Sequence, residues 1–154
     1  MNTKRSFILC ATDFLPQAID AATVAAKITL HRGEQLRLVH ATDAPKAGVR
    51  AILKSRLDTE VERLRKIGAD VEPLLLDNSR PPQGLLAYIR KELPSLVVVG
   101  GGVKGPMDRW ARGSFSEEIA ESSPVPTLVV RESTAPATSK SWLRSGGVRC
   151  RGRA

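Results

Sequence analysis

The glycine-rich segment of residues 100–116 contains residue types that bind anions. It includes the bases Lys104, Arg109 and Arg112 and ends in Gly-Ser-Phe-Ser, residues 113–116. Glycines let the backbone approach a phosphate closely, and unpaired N–H groups at the start of a helix carry a partial positive charge. We interpret the segment as an anion-binding loop. The alternative is a solvated loop in which the glycines serve only turns.

The dinucleotide fingerprint GxGxxG is also present in this segment, as Gly100, Gly102 and Gly105. That fingerprint belongs after the first strand of a domain and opens directly into a helix. Here it follows the fourth predicted strand, and Pro106 with several further residues precedes the next helix. We therefore reject a Rossmann-type dinucleotide site. The sequence also contains no HExxH, GxSxG or GxxxxGK[ST] motif.

Five apolar, strand-like runs alternate with helical patterns along the chain. The predicted strands are residues 7–11, 36–41, 71–76, 96–99 and 126–130, and the predicted helices are residues 16–30, 45–67, 81–92 and 114–121. This alternation predicts a single-domain α/β fold with an open, mostly parallel five-stranded sheet and helices on both faces. Ligands bind such sheets beyond the carboxyl ends of the strands, where the strand order reverses. We therefore expect the site at Thr12-Asp13, after the first strand, and at residues 100–113, after the fourth.

The second predicted helix has the clearest amphipathic pattern. Its apolar stripe is predicted to be Val49, Ile52, Leu53, Leu57, Val61, Leu64 and Ile67. The first helix has a narrow alanine face instead, and Gly33 and Gly68 stand where glycines that end helices belong.

The length of 154 residues corresponds to one domain, and the net charge of +8 is unevenly distributed. Residues 1–132 hold all sixteen acids and nineteen bases, whereas residues 133–154 hold five bases and no acid. We therefore predict an α/β domain over residues 1–132 and a basic, mostly disordered tail over residues 133–154 that attracts polyanions weakly. No apolar run reaches the roughly 18 residues that span a membrane, and no signal peptide is predicted.

The cysteines and histidines show no spacing that indicates metal binding or catalysis. Cys10 and Cys150 lie near opposite ends of the chain, and His31 and His40 have no spaced acid–base partner. We expect the histidines to serve caps or loops, and Cys10 to be an inert core residue. Sparse cysteine usage predicts a reducing compartment, with the cytoplasm as the default.

Several short motifs, taken in order and spacing, resemble the universal stress protein family. They are Ala11-Thr12-Asp13-Phe14, Leu38-Val39-His40-Ala41, Leu96-Val97-Val98-Val99-Gly100, Ser116-Glu117-Glu118 and Pro124 to Val130. The family's loop pattern Gly-x2-Gly-x9-Gly-Ser runs from Gly100 to Ser114, with Val103 in place of its second glycine. The resemblance covers roughly residues 5–132.

The resemblance implies a sheet ordered 3-2-1-4-5, of the adenine nucleotide alpha-hydrolase type, and a homodimer formed through the strand at residues 126–130. For one branch of the family it also implies ATP binding at the carboxyl ends of the first and fourth strands, with Mg²⁺ accompanying the nucleotide. The residues implied at the nucleotide are Ala11, Thr12 and Asp13 at the adenine, Ala41 in the base pocket, and Gly100, Gly102, Val103, Gly113, Ser114, Phe115 and Ser116 around the ribose and phosphates.

Val103 predicts weak ATP binding or none, because its branched side chain stands where a glycine lets the backbone reach the phosphates. We therefore predict a cytoplasmic stress-response regulator that acts through partners or conformation and is not an enzyme. Two alternatives stay open. One is a slow nucleotide hydrolase that uses Asp13 or Asp108, and the other is a polyanion or nucleic-acid binder that uses the tail. Leu15 stands where a capping serine is usual, so Asp13 is also predicted to cap the first helix.

Overall fold

The computed structural model describes residues 4–43, 45–77, 80–101 and 115–131, and the backbone of residues 148–151. The elements in chain order are β1 (Phe7–Ala11), α1 (Pro16–Arg32), β2 (Gln35–Ala41), α2 (Ala47–Lys66), β3 (Val71–Leu76), α3 (Pro81–Glu92), β4 (Leu96–Gly101), α4 (Phe115–Ser122), β5 (Thr127–Arg131) and β6 (Val148–Arg151). Each predicted strand and helix is present, with ends that differ by at most two residues from the sequence pattern.

The first five strands form a parallel sheet in the order β3-β2-β1-β4-β5. This confirms the predicted single-domain α/β architecture and its strand order. The chain builds outward from β1 through β2 to β3, then crosses back to add β4 and β5 on the other side. The order therefore reverses at β1, whose carboxyl end lies between those of β2 and β4.

Two apolar cores cover the two faces of the sheet, as predicted. Alternate residues of a strand point to opposite faces. Ile8 and Cys10 of β1 belong to the core under α1 and α2. Phe7, Leu9 and Ala11 belong to the core that includes side chains of α3 and α4. Burial on both faces explains why β1 and β4 are apolar without alternation.

Helix α1 packs closely on the sheet because its buried face consists of small residues. These are Ala18, Ala21, Ala22, Ala25, Ala26 and Thr29. The helix ends at Gly33, which has a φ of 67° and donates its N–H to the carbonyl of Thr29. Gly68, with a φ of 105°, follows α2 in the same role. Both glycine predictions are confirmed.

The predicted apolar stripe of α2 is buried only over its second half. Leu57, Val61 and Leu64 are buried, whereas Val49 and Ile52 are 48% and 58% exposed. Twenty residues of helix extend about 30 Å, whereas the six residues of the neighbouring β3 extend about 20 Å. The first turns of α2 therefore extend past the carboxyl edge of the sheet. Ile67, at the other end of the stripe, is also partly exposed.

Residues 133–154, predicted to be mostly disordered, contain one strand that the structure describes. Residues Val148–Arg151 form β6, which pairs antiparallel with β5 and adds a sixth strand to the sheet. The physical reason is that β5 would otherwise end the sheet with a row of unpaired backbone groups. The remainder of the predicted tail lies outside the described residues.

None of the helices in the described part of the chain is both long enough and apolar enough to cross a membrane.

Candidate functional site

A gap opens beyond the end of β1 because the strands on either side run further than β1 does. The last register pairs of β1 join Ala11 to Val39 of β2 and Cys10 to Val98 of β4. Ala41 and Gly100, two residues further along their strands, have no β1 residue opposite them. The gap therefore exposes the inner edges of β2 and β4 at the point where the strand order reverses, as the topology rule predicts.

Backbone groups of Ala41 point into this gap. Thr12 donates its N–H to the carbonyl of Val39 at 2.9 Å, so the N–H and C=O of Val39 face β1. Thr42 donates to the carbonyl of Leu76 at 2.9 Å, on the β3 side. Successive residues of a strand direct their backbone groups to opposite sides. The N–H and C=O of Ala41 therefore face the gap side of β2.

A cavity of about 550 Å³ occupies this position. The residues that were predicted from the sequence and line it are Ala11, Thr12, Asp13, Ala41, Gly100, Phe115 and Ser116. The structure thus brings together residues from four separate parts of the chain. Four further predicted residues, Gly102, Val103, Gly113 and Ser114, lie outside the described residues, as do the loop bases Lys104, Arg109 and Arg112.

The cavity has further lining residues that the sequence patterns did not indicate. They are Leu15, Gln17, Ala18, Val39, His40, Thr42, Asp43, Pro81, Leu85 and Val99. Thr42 and Asp43 follow β2, and the topology rule was applied only to the loops after β1 and β4. The same rule extended to β2, the other neighbour of β1, indicates both residues.

The loop between β1 and α1 is fixed by its own side chains. The Thr12 hydroxyl accepts the N–H of Phe14 at 3.0 Å, and Oδ1 of Asp13 accepts the N–H of Leu15 at 2.9 Å. Leu15 is the residue before α1 and provides no side-chain cap. Asp13 therefore fixes the turn before the helix with one of its two carboxylate oxygens, but it does not cap α1 as predicted, because the N–H that it accepts belongs to Leu15 and not to the first turn of the helix.

His40 fixes the same loop from β2. Its Nδ1 lies 2.7 Å from the carbonyl oxygen of Thr12. A carbonyl oxygen only accepts hydrogen bonds, so Nδ1 of His40 carries the proton and donates to Thr12. The other ring nitrogen, Nε2, takes no part in this hydrogen bond. The ring also packs against Phe14 with a centroid distance of 4.8 Å. This confirms a loop role for His40 and gives the loop a second support.

Phe14 has a φ of 66°, which is the left-handed region that non-glycine residues rarely adopt. The Thr12 hydrogen bond and the His40 contact hold it there. Backbone strain of this kind costs about 1–3 kcal/mol and tends to occur at functional sites. No sequence signal predicts it, since a phenylalanine carries no preference for positive φ.

Gly100 is a glycine because helix α1 approaches β4 at this point. A Cβ at Gly100 would lie 2.7 Å from the carbonyl oxygen of Gln17 and 2.8 Å from its carbonyl carbon. Both atoms are backbone and cannot rotate away. Gly100 therefore has a packing role in addition to lining the cavity, a role that neither interpretation of the loop glycines included.

The described wall of the cavity combines apolar surface with acidic groups at one side. Ala11, Val39, Leu85 and Val99 are buried, whereas Asp13 and Asp43 are exposed. Asp13 and Asp43 are the acidic residues among the lining residues that the structure describes. Both follow the β1–β2 half of the sheet, so an anionic part of a ligand is favoured at the opposite half, near α4.

The described residues offer no group of three or more His, Cys, Asp or Glu that could hold a metal ion. Cys10 lies directly before Ala11 but does not act as a nucleophile here. Burial raises the pKa of its thiol to about 12, so the reactive thiolate is suppressed. The prediction of an inert core cysteine agrees with this.

An open parallel sheet whose strand order reverses at β1, with helices on both faces, defines the class of doubly wound α/β proteins. Within that class, the chain belongs to the universal stress protein family, whose model matches residues 5–131. No curated protein sequence matches the chain.

Solved structures of universal stress proteins have the same fold. One from Archaeoglobus fulgidus has 22% sequence identity and a TM-score of 0.70, and the match covers 81% of this chain and 97% of that one. A second, in complex with cAMP, has 20% identity and a TM-score of 0.71 over 84% of this chain and 99% of that one. A third, from Archaeoglobus fulgidus in complex with dAMP, has 21% identity and a TM-score of 0.66 over 81% and 96%.

Proposed function

We propose that this protein is a regulatory member of the family that binds an adenine nucleotide in the cavity beyond β1. The observation that carries the proposal is the gap between Ala41 and Gly100, in which neither residue has a β1 residue opposite it. The volume of about 550 Å³ lies within the roughly 300–1,000 Å³ of ordinary ligand pockets. The cAMP and dAMP complexes of structurally similar proteins support the same ligand class.

The base is proposed to bind on the β1–β2 side of the cavity. Ala41 offers one backbone donor and one backbone acceptor there, which match the ring nitrogen acceptor and the amino donor of adenine. Guanine presents the opposite pattern, a ring N–H donor and a carbonyl acceptor. The apolar side chains of Ala11, Val39 and Leu85 supply surface for a planar ring. The site therefore favours adenine over guanine.

The phosphates are proposed to bind on the β4–α4 side. The carboxylates of Asp13 and Asp43 disfavour an anion on the β1–β2 side of the cavity. Ser116, buried near the start of α4, contributes to the cavity wall, and the helix start favours negative charge. The bases Lys104, Arg109 and Arg112 belong to the segment between β4 and α4. Mg²⁺ enters the proposal only as the ion that accompanies a triphosphate.

ATP is proposed to bind weakly because Val103 replaces a family glycine in the same segment. A β-branched residue restricts the backbone and adds two methyl groups near the expected phosphates. AMP avoids much of this penalty because it has fewer phosphate groups. The proposed ligand is thus an adenine nucleotide whose base and ribose supply most of the affinity.

The protein is proposed to hold its nucleotide without rapid turnover, in the cytoplasm, and to act through partners. Asp13, the candidate water-activating group in the described cavity, uses one oxygen to fix the loop and lies on the base side. Asp13→Asn keeps an oxygen acceptor for the Leu15 N–H. A slow hydrolase acting through Asp13 would lose its activity in this variant while still binding nucleotide. We expect instead that the wild-type protein does not hydrolyse its nucleotide.

The test is titration calorimetry with AMP, ATP and GMP. We expect AMP to bind the wild-type protein at least tenfold more tightly than GMP, and ATP to bind no more tightly than AMP. Val103→Gly is expected to raise the ATP affinity severalfold and to change the AMP affinity less. Equal binding of AMP and GMP would contradict the proposed base site.

Two further properties belong to the proposal. One is the capacity to form a homodimer that pairs through β5 when that edge is free, implied by the family resemblance. The other is weak attraction to polyanions, favoured by the five bases and absence of acids in residues 133–154. Heparin retention that falls steeply with salt is expected for the full chain.

A further inference from the structure

The outer edge of β5 is occupied by the protein's own chain. Four register pairs join the strands: Thr127 to Arg151, Leu128 to Cys150, Val129 to Arg149, and Val130 to Val148. The four β5 residues in these pairs are all buried. An apolar strand left uncovered at a sheet edge tends to pair with another chain. Strand β6 therefore covers the surface that this sheet would otherwise present for strand pairing.

The hydrogen-bonding register shows which β5 groups face β6. Val97 of β4 donates its N–H to the carbonyl of Pro126 at 2.9 Å, so the backbone groups of residue 126 face β4. Alternation then directs those of Leu128 and Val130 to β4, and those of Thr127 and Val129 outward. In an antiparallel pair, alternate residue pairs exchange both hydrogen bonds. Arg151 and Arg149 are therefore the β6 residues whose N–H groups face β5.

We propose that residues 148–151 hold the outer edge of β5 closed in the monomer and thereby control pairing with a second copy of this chain. The control of pairing rests on the homodimer proposed above, whereas the closed edge does not. An antiparallel β5–β5′ pair would use the outward backbone groups of Thr127 and Val129 on both copies. Strand β6 uses the same groups, so a second copy and β6 compete for one edge.

Proline substitutions separate β6 pairing from other effects of the segment. Arg149→Pro removes an N–H that faces β5 and breaks the ladder at its centre. Val148→Pro is the matched control, because the N–H of Val148 faces away from β5 and proline is tolerated at the first residue of a strand. Arg149→Ala controls for the lost charge and keeps the N–H. All four full-length proteins are compared in reducing buffer, so that Cys150 cannot cross-link chains.

Two measurements are made on each protein: amide hydrogen exchange of β5 and molar mass by light scattering across a concentration series. In the wild-type protein we expect a monomer in which the Thr127 and Val129 amides exchange slowly at all concentrations. In dilute Arg149→Pro these two amides should exchange at least tenfold faster, with Leu128 and Val130 unchanged as internal controls. At high concentration the variant should form dimers and regain protection at both amides. The two control variants should behave as the wild type does.

The outcomes that overturn the inference differ from the one that overturns the dimer. Fast exchange of Thr127 and Val129 in wild-type monomers would show that β6 does not cover the edge. A wild-type dimer whose mass and exchange are unchanged by Arg149→Pro would also overturn the closed monomer while leaving a homodimer in place. Released amides in Arg149→Pro with no dimer at any concentration would refute pairing with a second copy and the proposed homodimer, and would support the cover alone.

Discussion

His40 and Phe14 act on the ligand cavity through the loop that follows β1. His40 holds the carbonyl of Thr12, and its ring supports Phe14 in a left-handed conformation. The sequence predicted Thr12 and Asp13 from topology and a loop role for His40. It did not predict the contact between His40 and Phe14, because the contact depends on a φ angle that nothing in the residue types specifies.

Substitution of His40 should weaken both the fold and nucleotide binding. His40→Ala removes one hydrogen bond and one aromatic contact, so we expect a loss of about 1–3 kcal/mol in the free energy of unfolding. AMP affinity should fall about tenfold because the loop bearing Asp13 loses its support. Urea denaturation and calorimetry measure the two effects. His31→Ala, at an exposed position near the end of α1, is the matched control and should change neither quantity. Unchanged stability in His40→Ala would contradict the supporting role.

Two glycine substitutions should have opposite effects on stability. Gly100→Ala places a Cβ against the backbone of Gln17, so α1 or β4 must shift, and we expect destabilisation of about 1–3 kcal/mol. Gly48→Ala adds a Cβ in open space within α2 and should stabilise by up to about 1 kcal/mol, because alanine favours helix more than glycine does. Thermal unfolding of both variants checks the prediction. A neutral Gly100→Ala would mean that the approach of α1 to β4 is loose.

At the scale of elements, α1 and α2 are joined by a polar contact between their side chains. Arg63 of α2 donates to Glu60 at 3.0 Å, to the Thr23 hydroxyl at 3.0 Å and to the carbonyl of Ile19 at 3.3 Å. The hydrogen bond that Arg63 donates to Glu60 raises the pKa of Arg63, so the guanidinium stays charged. Glu60 is itself buried, so its carboxylate depends on the Arg63 guanidinium for a hydrogen-bonding partner of opposite charge.

Removal of the Arg63 guanidinium should destabilise the protein because Glu60 would remain buried without its partner. Arg63→Met keeps much of the apolar stem, and we expect a loss of about 1–3 kcal/mol, less than for a fully buried pair because Arg63 is partly exposed. Arg56→Met, at an exposed position on the same helix, should change stability by less than about 0.5 kcal/mol. Urea denaturation compares the two. An equal effect of both substitutions would contradict a specific contact between α1 and α2.

Element boundaries were predictable where burial alone determines them. The apolar run of β1 coincides with the strand, because a strand buried in a parallel sheet needs continuous apolar residues. The apolar stripe of α2 was misleading over its first half. Val49 and Ile52 follow the helical period correctly, but the helix is longer than the strand it covers. Periodicity identifies which face of a helix is apolar and not how far the sheet extends beneath it.

At the scale of the whole molecule, the position of the site was predictable from topology and the strand order from the family resemblance, whereas the sixth strand was not predictable. Alternating elements and the position of the glycine-rich loop gave the reversal point, and with it Asp13 and Gly100. Strand β6 is four residues long and follows a composition typical of disorder. The alternation Val148-Arg149-Cys150-Arg151 is a strand pattern, but a run this short is informative only when a free sheet edge is known to be available.

The most direct test of the central claim is calorimetric titration of AMP into two matched variants and the wild-type protein. Ala41→Phe places a large side chain in the cavity beyond the end of β1, whereas Ala51→Phe makes the same change at an exposed position of α2. Thermal unfolding first confirms that both variants are folded. We predict that wild type and Ala51→Phe bind AMP with equal affinity and that Ala41→Phe binds at least tenfold more weakly. Equal affinity in all three proteins, or no binding of AMP by the wild type, would contradict an adenine nucleotide site beyond β1.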